Sequence, residues 1–428
     1  MNAADVFSTL SIELKPDPSR TVIRPFSFAY PEPFGKDRPK RMQQVADRLL
    51  SLDKPMRERM RMLLQRPMHE RHRNADATFL RRFADVAGDL KLPPNLDETD
   101  RLLIGAYFSQ EYAFESAALF NPSIIPLPDA DENDDSLAFL LSLRGIGEGH
   151  ISSVTFRTGT WDAGDQVIVH PASQQGVPPR IDKEEAGWIR LLCDESDDVS
   201  ETVLFPVLPS QRSGIEDLRM VRFTDDDGNR SVIGTYTAFD GVTARQEMLR
   251  GVDMRTVEMR ALTGAMSGYK GMALFPRKIG GQFVMLGRQD NENIWLLRSD
   301  RLEHWDDGVR ILAPKYPWEF VQMGNCGSPI EIDEGWLVFT HGVGLVRGYC
   351  VGACLLDKAD PSRVLARTPS PLLFPSAEQR GGYVPNVTYS CGALLHRRRI
   401  LLPYAIGDEY SAFAVGNVDD LLSVMVAA

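Results

Sequence analysis

Two adjacent carboxylates followed by an arginine, Glu216-Asp217-Leu218-Arg219, are the residues of this chain best suited to acid–base chemistry. Proton transfer to a glycosidic oxygen needs a carboxyl group that keeps its proton near neutral pH, and burial raises a carboxyl's pKa toward that range. Neighbours on a strand point to opposite faces, so Glu216 and Asp217 are expected to serve separate duties. Arg219, two positions beyond Asp217, falls on its side of the strand and is placed to tune it. An ordinary ion pair at a turn edge would use the same residue types.

A second group is cationic. Lys270, Arg288 and His341 stand at matching points of consecutive sequence repeats, with Arg144 on another. Converging cations in an acidic protein suggest an anion pocket, and phosphate suits the planar arginine fork best. His341 alone could equally be a hydrogen-bonded core histidine. Tyr236, Trp318 and Tyr383 could stack on a sugar ring, or belong to the core as most strand aromatics do. No metal site or cofactor is expected. His69 and His72, in MHERHR, read as solvated surface, and the five cysteines read as buried free thiols.

The elements that must position these groups change texture near Ala118. Before it, residues 39 to about 118 carry apolar stripes at helical spacing: Met42, Val45, Leu49 and Leu50, then Met60, Leu63 and Leu64, then Phe79, Leu80, Phe83 and Val86. Pro55 interrupts the first run, Asp53 is placed to cap the next helix, and a further helix begins near Asp97. These helices are expected to cover a neighbouring face or to build a homo-oligomer contact. After Ala118, short strands alternate with Gly, Pro, Asp and Asn turns.

The strand region repeats itself. Its units open with NPSIIP at Asn121, GIEDLRM at Gly214, KGMALFP at Lys270, GNCGSPIEI at Gly324 and VPNVTYSCG at Val384. The last four openings recur every 50 to 60 residues, and an insertion between Asp162 and Ser213 lengthens the first gap. Five repeated antiparallel sheets predict an all-β fold, a five-bladed β-propeller over residues 119–428, with an α-helical N-terminal extension over 1–118. Innermost strands of a propeller line a central channel. That makes channel candidates of Asn121, Glu216, Asp217, Arg219, Lys270, Asn325, Ser328 and Asn386. The ends of the second strands add Arg144, Tyr236, Asp240, Arg288, Asp290, Asn291, His341, Tyr404 and Asp408. Some of these polar groups would pair with one another as structure rather than bind a ligand.

Bulk properties bound the partners. The chain has 428 residues, 43% hydrophobic and 25% charged, with net charge -11. That acidity argues against nucleic acid or an anionic membrane as the main partner. The N-terminus has no basic start and no apolar core, so a cytoplasmic location is expected.

Several of these motifs are long and stand in one order: NPSI, GIEDLR, YTAFDG, KGMALFPRKIGG, DNENIWLLRSDRLEHW, GSPIEIDEGWLVFTHGV, GACLLDKADPSRV and VPNVTYSCG. From about Asn121 to Met425 the chain resembles glycoside hydrolase family 130, the mannoside phosphorylases and β-1,2-mannosidases. The resemblance implies inverting attack on a terminal β-mannoside, with no cofactor and with inorganic phosphate as co-substrate in the phosphorylases. It implies that Asp217, in the place of the aspartate of a Glu-Asp-Pro-Arg motif, is the general acid, with its proton passing through a sugar hydroxyl. Leu218 stands where that motif has proline. The implied phosphate pocket takes Lys270 and His341 with arginines, for which Arg245 and Arg288 are the candidates. Of the channel candidates above, Asn121, Arg144, Arg219, Tyr236, Asp240, Asp290, Asn291, Ser328, Asn386 and Asp408 are the expected contacts to a small manno-oligosaccharide. HISSVTFRTG and GNCGSP are closer to the β-1,2-mannosidase branch, in which water replaces phosphate and a carboxylate, here Glu216, acts as base.

Overall fold

The computed structural model describes residues 2–26, 38–131, 133–251 and 253–428. Four helices follow one another in the first quarter of the sequence: α1 (Arg38–Leu50), α2 (Lys54–Arg71), α3 (Ala75–Ala87) and α4 (Glu98–Tyr107). Their boundaries follow from local chemistry. Asp53 caps α2 by accepting from Met56 N at 2.9 Å, with Pro55 in the first turn, where its missing N–H leaves no bond unmade. Asp97 caps α4 through Asp100 N at 2.9 Å. Met42, Leu49, Phe79 and Val86 of the stripes are buried, whereas Leu63 points outward and α2 buries no side chain. His72 departs from the surface reading. It is buried and lies 2.8 Å from Glu111.

These helices, with the two-stranded sheet of Thr21–Pro25 and Ser109–Ala113, form one compact unit, Ser19–Ala113 with Gln174–Val177. The other unit comprises Met1–Pro18, Phe114–Ser173 and Pro178–Ala428. Its first strand, Phe7–Leu14, pairs antiparallel with Tyr410–Asn417, so the start and end of the sequence share a sheet.

The chain does not form the all-β five-bladed propeller expected from the repeat. Among the described residues the strands fall into open sheets of eleven, six, five, four and two strands. Helices are dispersed. Besides α1 to α4, a fifth, α5 (Val418–Ser423), follows the last long strand, capped by Asn417 on Asp419 N at 2.7 Å. The class is therefore mixed α/β. The unequal sheets have a local cause. Gly214 pairs in parallel with Ser152, and Thr256–Ala261 pairs with Trp188–Leu192. The insertion between the first two repeats is thereby sewn with both into one eleven-stranded sheet.

What the repeat did mark is where first strands meet. Met220 N donates to Ser123 Oγ at 2.9 Å, Asn325 Nδ2 to Gly271 O at 2.6 Å, and Cys391 N to Pro122 O at 2.9 Å. Apolar clusters fill the space between the sheets behind them. Val221, Met272 and Trp305 pack at one junction, and Phe275, Met323 and Trp336 at the next. Burial of such side chains, worth about 1.5–3 kcal/mol each, holds the first strands side by side. Among the described residues no helix is long and apolar enough to cross a membrane.

Candidate functional site

Three first strands carry the same irregularity at the same point. Pairing register shifts between Phe120 and Ser123, between Glu216 and Arg219, and between Lys270 and Ala273. Within each shift sits a left-handed residue: Asn121 at φ 49°, Asp217 at φ 53° and Gly271 at φ 74°. Asn, Asp and Gly tolerate that conformation best, which is why these residue types occupy the bulges. A bulge breaks strict alternation, so the expectation that Glu216 and Asp217 face opposite ways is overturned. Both carboxylates grip one guanidinium, Arg144 Nη2 to Glu216 Oε1 at 3.0 Å and Nη1 to Asp217 Oδ1 at 3.2 Å. Asn121 Nδ2 donates to the same Asp217 oxygen at 2.6 Å, and Lys270 Nζ reaches Glu216 Oε2 at 3.3 Å.

Beside this cluster lies a small cleft, about 20 Å³ in volume, lined by Asp217, Arg219, Lys270, Arg288, Asn325 and His341, with Thr237, Gly271, Gly324 and Tyr389. Arg219 is buried and held three ways: Nη1 to Asp217 O at 2.9 Å, Nε to Asn325 Oδ1 at 3.2 Å and Nη2 to Tyr389 Oη at 2.6 Å. His341 Nδ1 lies 3.2 Å from Asn325 O, which can only accept, so Nδ1 carries the hydrogen. Its Nε2 is then an acceptor, 3.4 Å from Arg288 Nη1. Gly324 makes room for this ring, since a Cβ there would stand 2.5 Å from His341 Cε1. Arg288 pairs with no carboxylate among the described residues, and its buried Nε has no partner.

The electrostatics assign protonation states. Burial, then the charges of Arg288 and Arg219, push the His341 pKa well down, so the imidazole is neutral. Burial also pushes the Asp217 carboxyl up, but Arg144, Arg219, the Asn121 hydrogen bond and Lys270 together outweigh it and hold the pKa below the usual value. The expectation that burial keeps a proton on Asp217 is therefore overturned by the surrounding cations. Asp408 is the carboxyl driven the other way. Burial, then the charge of Asp217, raises it to about 6, against the pull of Arg144 and Arg347.

The cleft thus gathers Asp217, Arg219, Lys270, Arg288 and His341, with Glu216, Asn121 and Arg144 bonded behind and Asp408 within their field. Other candidates lie elsewhere. Tyr236 is fully buried, with its hydroxyl 2.8 Å from Glu247 Oε2 and 3.0 Å from Gln211 Nε2. Arg245 is exposed on Ala244–Gly251 and is not part of the cleft lining. Asp240 accepts from Val242 N and Thr243 N, and Asp290 from Glu292 N and Asn293 N, so both close turns. Asn291 is an exposed left-handed turn residue, and Asn386 offers its carbonyl to Tyr349 N at 2.9 Å. Ser328 lines a different cavity, with Ile124, Met220 and Leu394. Trp318 packs against Gly342 and Gly352, and Tyr383 meets His150 at 2.8 Å. Tyr404 is buried. Sequence reasoning missed Thr237, Gly271, Gly324 and Tyr389 as lining residues. The last lies three positions beyond Asn386 in a motif already marked.

Paired carboxylates, an arginine clamp and a neighbouring arginine, Arg288, that pairs with no carboxylate among the described residues describe a site for splitting a polar bond with an anion at hand. The chain belongs to glycoside hydrolase family 130. The family's profile, described as beta-1,4-mannooligosaccharide phosphorylase, matches residues 197–427. A 1,2-beta-oligomannan phosphorylase of Thermoanaerobacter sp. (strain X514) is 38% identical over 154 residues, 36% of this chain and 52% of that protein. A beta-1,2-mannobiose phosphorylase of the same organism is 32% identical over 218 residues, 50% of this chain and 70% of that one. The chain thus spans about half the length of the first of these relatives. Among solved structures, the beta-1,2-mannobiose phosphorylase from Listeria innocua, in complex with beta-1,2-mannobiose, shares its fold. The TM-score is 0.51 at 20% identity, covering 73% of this chain and 92% of that one. The chain is thus a relative of the β-mannoside phosphorylases, and that relation supports enzymatic activity.

Proposed function

We propose that this protein cleaves the terminal mannosyl group of small β-mannosides by inverting phosphorolysis. One observation carries the reading: Arg288, with an unpartnered buried Nε, stands with Lys270 and His341 in the same cleft as the Asp217 carboxylate. Hydrogen phosphate fits these donors, and its hydroxyl can donate to the accepting Nε2 of His341. A phosphate oxygen forms the new bond to the anomeric carbon from the face opposite the leaving oxygen, and the C–O glycosidic bond breaks with inversion. The leaving oxygen takes a proton from Asp217, directly or through a sugar hydroxyl. The phosphate's own proton then restores the carboxyl, so the products are α-mannose 1-phosphate and a sugar shortened by one unit.

The lowered pKa of Asp217 fits this scheme. Phosphate brings negative charge against the cations that depress its pKa, so anion binding and carboxyl protonation reinforce each other. Hydrolysis would need a free carboxylate base, with the two carboxyl groups about 6.5–9.5 Å apart. Glu216, the candidate, is instead engaged by Arg144 and Lys270. The test is incubation with mannobioses of defined linkage, with and without inorganic phosphate, with products followed by NMR. Phosphate-dependent appearance of α-mannose 1-phosphate is expected. Undiminished release of free mannose without phosphate would reject phosphorolysis.

A further inference from the structure

The turn Gly344–Gly348 departs from its surroundings. Two consecutive non-glycine residues, Val346 at φ 54° and Arg347 at φ 55°, are left-handed. For a β-branched residue that is an outlier, and such strain collects at ligand clamps. It is not offset by packing, because Leu345 and Val346 are 87% and 86% exposed. The turn is instead locked at its ends. Gly344 N donates to Gly348 O at 2.9 Å, Gly348 N to Leu345 O at 3.0 Å, and Tyr349 N to Asn386 O at 2.9 Å.

That geometry sets the direction of one side chain. The Arg347 guanidinium carbon lies 5.7 Å from the centroid of the Tyr349 ring. The Tyr349 ring in turn stacks on His341 at 6.0 Å, with 22° between the planes, and meets Tyr389 edge-on at 6.3 Å. His341 and Tyr389 line the cleft. Arg347 makes no ion pair or hydrogen bond among the described residues, yet its charge is felt by Asp408. An exposed guanidinium is thus held one ring away from the cleft, with its planar fork unused.

We propose that Arg347, held by the left-handed turn and stacked on Tyr349, is a specificity residue that hydrogen-bonds the sugar on the leaving side of the scissile bond. The assignment rests on the β-mannoside reading. The cations for phosphate are inside the cleft and Asp217 is beside them, so the substrate must extend outward past its mouth. Arg347 is an exposed side chain beside that mouth with no hydrogen bond or ion pair of its own among the described residues, and its fork matches two neighbouring sugar hydroxyls. The buried interior would then select the mannosyl group, and this turn the sugar attached to it.

The experiment compares two substrates that share a mannosyl group and differ in what leaves: the mannobiose preferred by the wild type, and p-nitrophenyl β-mannoside, whose leaving group has no sugar hydroxyls. Arg347→Ala is expected to lower kcat/KM on mannobiose by about 10- to 100-fold, the scale of lost hydrogen bonds to a charged group. On the nitrophenyl substrate the change should stay within about twofold, with KM for phosphate unaltered. Arg347→Lys keeps the charge without the fork and is expected to recover only a minor part of the loss. Equal losses on both substrates, or a raised KM for phosphate, overturn the assignment while leaving the mannoside reading intact. A wild type that cleaves neither substrate overturns the mannoside reading, and this assignment with it.

Discussion

Asp408 is where the electrostatics of this site make a claim about stability that can be measured. Its carboxyl is raised from 3.8 to about 6 by burial first and by the negative charge of Asp217 second. Between those two values the folded chain holds a proton that the unfolded chain has released. The folded state is therefore progressively disfavoured as pH rises from about 4 to about 6, and the penalty is constant above that. At about 1.4 kcal/mol per pH unit, the full penalty is about 3 kcal/mol at pH 7 and roughly half of that at pH 5. Asparagine copies the shape of the protonated carboxyl without its ionisation. Asp408→Asn is therefore expected to be more stable than the wild type by about 3 kcal/mol at pH 7.5, with an advantage that shrinks to roughly half at pH 5. Urea unfolding of both proteins at the two pH values reads this directly. A variant no more stable than the wild type at pH 7.5, or one whose advantage is the same at both pH values, would refute the reasoning, because neither burial nor Asp217 could then be opposing ionisation.

Three further substitutions separate the site from its surroundings. Asp217→Asn removes the proposed proton donor and is expected to lower turnover of mannobiose by at least about 100-fold while sugar binding, followed by calorimetry, persists; near-normal turnover would remove Asp217 from the mechanism. Arg288→Ala deletes the guanidinium that has no carboxylate partner, and should raise KM for phosphate by about 10- to 100-fold with little effect on mannoside binding. An unchanged phosphate KM would place the anion elsewhere. Tyr236→Phe leaves Glu247 and Gln211 without a buried hydroxyl partner, which is expected to cost about 1–3 kcal/mol of stability and no catalytic efficiency. Loss of activity at undiminished stability would return Tyr236 to the site.

Tyr236 also shows why the sequence misleads at some positions. Its strand, Arg230–Phe239, lies inside the largest sheet, and eight of its ten residues are buried. Apolar cores press on both of its faces, so a polar residue there is as deeply covered as its neighbours, and nothing in the alternation distinguishes a ligand contact from a core hydroxyl with internal partners. Asp240 and Asp290 fail differently. Each follows a strand that leads to the site, but in each one carboxylate oxygen closes its own turn by accepting two backbone N–H groups. An Asx turn is visible in a sequence only as an aspartate before polar residues, which is also what a ligand contact looks like. The fold class had the same ambiguity one level up. The repeat located five groups of strands, but which group joins which depends on pairings across the insertion, such as Gly214 with Ser152, that no periodicity encodes.

The carboxylates were legible as a motif and illegible as a geometry. Counting pleats separates Glu216 from Asp217. The left-handed turn at Asp217 unites them on Arg144, and the only sequence trace of it is that Asn121, Asp217 and Gly271 occupy matching points of their repeats. Protonation was out of reach for a related reason. Burial alone argues for a retained proton, but the cations that decide the matter, Arg144, Arg219 and Lys270, come from three different strands and act only because the fold brings them to one carboxyl. Their combined pull leaves Asp217 ionised until negative charge arrives to offset it. If a phosphate dianion supplies that charge, the general acid is armed by the nucleophile itself. The same carboxyl would stay a poor proton donor toward a mannoside bound without phosphate, which favours transfer to phosphate over transfer to water in this cleft.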